Sequence, residues 1–119
     1  MRAKLKCLHC PDIDDLENWF PGDRPFGIFV QALVGAADSK GEESFGMRIC
    51  TPDWFATEGM EGATVRSGVH TLFVTRYDYP AIRGFIERAV HRAEAKTWRE
   101  VAERLSWLGH WEFADYNSN

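Results

Sequence analysis

Residues 26–36, FGIFVQALVGA, and residues 44–50, SFGMRIC, decide the fold. The first stretch is rich in β-branched and aromatic side chains, which suit a pleated, half-buried surface. The second alternates, with Phe45, Met47 and Ile49 on one side and Ser44, Gly46, Arg48 and Cys50 on the other. That period of two marks a strand with one buried face. Ala37-Asp38-Ser39-Lys40-Gly41-Glu42 between them is turn-like, so the two strands are expected to pair as a hairpin.

Towards the N-terminus, Ala3 to His9 alternates too. Ala3, Leu5, Cys7 and His9 share one side, with Lys4, Lys6, Leu8 and Cys10 on the other, and Pro11 ends the strand. Residues 12–23 hold a cluster of acids and a Pro-Gly pair but no sustained period, so they form a loop or a short helical turn. Towards the C-terminus, Thr51-Pro52-Asp53 is a helix start, with Thr51 as cap and Pro52 at the first helical position, and Gly59 is its stop. Residues 59–68 contain three glycines and read as a flexible connection. Val69 to Tyr77 alternates as a fourth strand. From Pro80, a stripe of Ile82, Phe85, Ile86, Ala89, Val90 and Ala93 predicts a long helix. Thr97-Trp98-Arg99-Glu100 is a capping box for another, whose buried face is Trp98, Val101, Ala102, Leu105 and Leu108. His110 to Tyr116 alternates aromatic and polar residues as a short strand or extended tail. Strands grouped as hairpins, with helices later, predict an α+β fold: an antiparallel sheet of four or five strands with helices packed on one face.

Composition bounds the function. The 119 residues match one domain, since domains cluster at roughly 100–150 residues. The basic N-terminus is not followed by the apolar run of a signal peptide, and no stretch approaches the ~20 apolar residues of a membrane span. Three cysteines, an odd number without regular spacing, fit free thiols in a reducing compartment. A cytoplasmic protein with no membrane association is expected. Net charge is −4 and uneven: residues 11–61 hold eleven acids and three bases, whereas residues 62–110 hold eight bases and five acids. The acidic stretch would repel phosphate, which argues against nucleic acid, and it suits a basic protein partner.

Four groupings offer chemistry. Cys7-Leu8-His9-Cys10 looks like part of a metal site, but structural zinc needs two ligand clusters and no second pair follows. No metal or other cofactor is expected. Cysteine–histidine pairs are formally available, and Cys50, just ahead of the helix at Pro52, is the best placed thiol; nothing flanking the cysteines marks one as activated. Asp12, Asp14, Asp15 and Glu17 lack calcium-loop spacing; they are either a solvated loop or a charged protein-binding loop. Trp19-Phe20 follows directly. An aromatic pair beside a negative patch has the composition of an interface anchor, although both rings could equally fold inward. Asp12, Asp14, Asp15, Glu17 and Trp19 are therefore the candidate partner-binding residues, and no catalytic residue is assigned. The competing classes are a small cytoplasmic enzyme and a homodimeric structural or regulatory module.

Four motifs, in order, carry a resemblance: LHCPDIDDLE at residues 8–17, ICTPDW at 49–54, YDY at 77–79 and GHWEFADY at 109–116. With the length, they resemble the immunity protein 8 family of bacterial polymorphic toxin systems, over about residues 3–116. The resemblance implies an α+β domain without catalytic activity, and with the length it fits one domain over residues 1–119. Its expected partner is a cognate toxin domain, which it neutralises by blocking the active site or an adjacent surface. No catalytic residue is carried over.

Overall fold

The hairpin expected from the two central stretches organises the sheet of the computed structural model, which describes residues 1–115. Strand β1 spans Ala3–His9, β2 Gly27–Ala36 and β3 Glu43–Cys50. β2 pairs antiparallel with β3 from Gly27–Cys50 to Val34–Glu43, and with β1 on its other side. Beyond β3 lie a short helix α1 (Pro52–Trp54), which continues as a π-helical turn over Phe55–Gly59, then β4 (Thr71–Phe73), α2 (Tyr79–His91), α3 (Trp98–Arg104) and β5 (His110–Trp111). The free edge of β3 is shared: β5 pairs antiparallel at Phe45 and Gly46, and β4 pairs at Arg48–Cys50.

The fold is α+β as expected, with one ladder of opposite sense. β4 runs parallel to β3. A hairpin turn would have reversed the chain, but the connection from Thr51 to His70 carries it back to the start of the ladder, as parallel pairing requires. β4 is also shorter than the alternation of Val69 to Tyr77 suggests. His70 takes a left-handed φ of 57° that breaks extended backbone before it, and Val69 is exposed.

α2 and α3 cover one face of the sheet. Ile82, Ile86, Ala89 and Val90 of α2 and Val101 and Ala102 of α3 join Val30, Val34, Phe45, Met47 and Ile49 in one apolar cluster, with Leu105 and Leu108. Three expectations about faces change. First, β1 does not keep one alternation. Its register slips between Leu5 and Cys7, a bulge at Lys6, so the inward series is Ala3, Leu5, Leu8 and Cys10, and Cys7 and His9 are exposed. An extra residue in one strand flips every side chain after it. Second, Phe85 leaves the α2 stripe and is 40% exposed, its ring against Trp107. Third, α1 does not join the other helices. Its Trp54 lies on the opposite face, where a Cβ on Gly27 would fall 2.4 Å from the indole and where the Arg48 guanidinium stacks 5.3 Å from the ring centre. Only glycine leaves room for that ring.

Candidate interaction surface

The β1–β2 connection is an ordered loop. Cys10 and Ile13 form an isolated bridge, and Trp19 N–H donates to the Leu16 carbonyl at 3.4 Å. Asp15 accepts from the Asn18 backbone N–H at 3.3 Å and from its side-chain amide at 2.9 Å, the local bonding by which aspartate stabilises turns. Cys10 and Leu16 turn into the core. Gly22 supplies a left-handed turn at φ 73° before Phe26.

Three rings hold the loop from below. Trp19 meets Phe26 edge-to-face at 5.5 Å and Tyr77 at 4.8 Å, and Phe26 meets Tyr77 at 5.6 Å. The Tyr77 hydroxyl donates to the Leu16 carbonyl. Burial, reinforced by Tyr79, Cys10 and Asp15, pushes the Tyr77 hydroxyl up to about 12, so it stays a donor at any physiological pH. Trp19 is thus half-buried and packed on the core, whereas its neighbour Phe20 is 86% exposed. Asp12, Asp14 and Glu17 are exposed and have no side-chain partner among the described residues. Of the five sequence candidates, the structure places four acids on the surface and ties one, Asp15, into the turn. Phe20 is the surface ring that the paired reading of Trp19-Phe20 did not separate from its neighbour.

The other groupings are not brought together. Cys7 and His9 are exposed, Cys10 faces the core, and Cys50 is fully buried. Among the described residues no group of three His, Cys, Asp or Glu side chains is placed to hold a metal ion. Burial raises the Cys50 thiol, against the opposing pull of Arg48, which leaves it protonated and a poor nucleophile. No described helix is long and apolar enough to cross a membrane.

The motif residues have structural employment. Thr51 makes no side-chain cap to α1. Its hydroxyl accepts from Phe26 N–H at 3.3 Å and its own N–H donates to the Phe26 carbonyl at 3.0 Å, so it locks the start of β2 to the end of β3. Asp78 caps α2 by accepting from Ala81 N–H at 3.1 Å. In the closing motif, Trp111 Nε1 donates to Glu43 at 2.7 Å, and Trp98 Nε1 donates to the same carboxylate oxygen at 2.7 Å. Glu112 accepts from the Ser44 hydroxyl at 2.8 Å and its N–H bonds the Ser44 carbonyl at 3.0 Å. Tyr116 lies outside the described residues.

These features describe a small α+β domain whose best-formed polar sites serve its own packing. The Immunity protein 8 family model matches residues 3–116, nearly the whole chain, and the chain belongs to that family. Neither the curated proteins nor the solved structures contain a match.

Proposed function

We propose that this chain is an immunity protein of a bacterial polymorphic toxin system. It binds the cognate toxin domain in the cytoplasm of the producing cell and blocks the active site or an adjacent surface, with no catalysis of its own. The observation that carries this reading is the family match over residues 3–116. The surface of the β1–β2 loop adds to it. Asp12, Asp14 and Glu17 present unpaired negative charge, Asp15 holds their turn in shape, and Trp19 backs the loop while Phe20 projects beside it. Against a basic toxin domain, such a loop steers the encounter and offers a ring for a pocket on the partner. A preformed loop also loses little entropy on binding.

The test is protection. The toxin domain encoded beside this gene is induced in a sensitive host with and without this chain. The expected result is growth only with the chain present, and co-purification of the two proteins. Unrelieved toxicity with no complex would contradict the proposal.

A further inference from the structure

A second charged surface lies on the helical side and has the opposite sign. α2 and the end of α3 border a cleft of about 450 Å³, walled by Phe85, Arg88 and Arg92 on one side and by Arg104 and Trp107 on the other. Its floor includes the buried Ala89 and Ala93. Phe85 and Trp107 meet edge-to-face at 6.4 Å, and Trp107 is 57% exposed. Two large rings beside open solvent represent apolar area that folding leaves unused.

The arginines differ from their neighbours. Arg83 pairs with Glu87 and Arg99 with Glu103, each four residues on. Arg88, Arg92 and Arg104 have no carboxylate partner among the described residues, and no acid lines the cleft. Arg88 and Arg92 stand one helical turn apart, a like-charge spacing that destabilises a helix. Helix dipoles favour a cation in each final turn, which accounts for arginine at either helix end. They do not account for both ends converging on one aromatic cleft without an acid.

We propose that this cleft binds an acidic segment of a partner protein. Two or three carboxylates would pair with Arg88, Arg92 and Arg104, in the forked geometry that guanidinium favours, and a bulky apolar side chain between them would lie against Phe85 and Trp107. Arginine and tryptophan are also the residues that dominate interface energetics. A protein ligand fits better than nucleic acid. Three cations give few phosphate contacts, and the acidic stretch 11–61 repels a long polyanion. The inference does not depend on the immunity reading, because protection from toxin and occupancy of this cleft are measured separately.

The probe is the peptide Glu-Glu-Phe-Glu-Glu, titrated at low salt into the ¹⁵N-labelled full chain. The Trp107 indole resonance and the Arg88 and Arg92 amides are expected to shift together. The double variant Arg88→Gln, Arg92→Gln should weaken binding at least ~10-fold, which corresponds to ~1.4 kcal/mol, with unchanged circular dichroism. Arg104→Gln should weaken it less, and Lys40→Gln, an exposed cation outside the cleft, should leave it nearly unaltered. Absence of cleft shifts, undiminished affinity of the folded double variant, tighter binding of a ten-nucleotide oligothymidylate, or concentration-dependent self-association through the cleft would each overturn the proposal.

Discussion

The closing segment 109–113 and the loop 11–23 both carry family motifs and both lie largely outside long elements, yet they are built oppositely. In the closing segment the polar groups are turned to the protein: Trp111 to Glu43, and Glu112 to Ser44 through both side chain and backbone. Of the loop's acids only Asp15 is tied down among the described residues, while Asp12, Asp14, Glu17 and the Phe20 ring face solvent. One segment spends its polar groups on assembling the fold, whereas the other leaves most of its acids free, and these are the groups that the proposed recognition would use.

Substitutions can break this contrast, and the largest effect should come from the scaffold. Leu105 is 1% exposed beneath the segment that leads into the closing motif. Leu105→Ala should cost about 2–5 kcal/mol in denaturant unfolding, and a loss below ~0.5 kcal/mol would show that the helical layer is not the core. Next comes Glu43. Glu43→Ala leaves the indole N–H groups of the half-buried Trp98 and the buried Trp111 without their acceptor and should cost about 2 kcal/mol. Glu43→Gln keeps an acceptor oxygen and should cost clearly less. Equal losses for the two would mean that charge, not the acceptor, holds the tail.

Tyr77 braces the loop from its partly buried side, through Trp19, Phe26 and the Leu16 carbonyl. Tyr77→Phe keeps the ring stack and removes the bond to Leu16, for about 1 kcal/mol. Its pH dependence has a definite sign. The folded value near 12 lies above the ordinary value of 10, so the folded state holds the proton more tightly. That contribution is complete below pH 10 and is lost as pH rises through about 12. Unfolding titrations of the wild type from pH 9 to 12 should therefore show a decline that is reduced in the phenylalanine variant.

Much of this architecture was legible in the sequence. The hairpin of β2 and β3 followed from alternation in 44–50, and α3 from the Thr97–Glu100 box, in which Thr97 accepts from Glu100 N–H at 3.2 Å. What escaped has local causes. The Lys6 bulge inserts a residue without altering composition, so Leu8 and Cys7 exchanged faces unseen. Thr51 has the right type and place for a cap, but a strand end competes for its hydroxyl and wins. The Glu43 hub joins indoles 55 and 68 residues away, and no local pattern can announce it. For the candidate surface, charge density located the acids; only packing could show that Trp19 is shared with the core while Phe20 is not.

On the proposed function, the loop's free acids serve recognition and not folding. The direct measurement is the association rate with the cognate toxin domain for Asp12→Asn, Asp14→Asn, Glu17→Gln, combined in one chain that retains Asp15 as the turn's brace. Unfolding free energy should move by less than ~0.5 kcal/mol, as expected of exposed unpaired charges. Association at low salt should slow about 10-fold, and the gap to wild type should close near 1 M salt, where the screening length falls to about 3 Å. An association rate equal to that of the wild type at low salt would contradict the account.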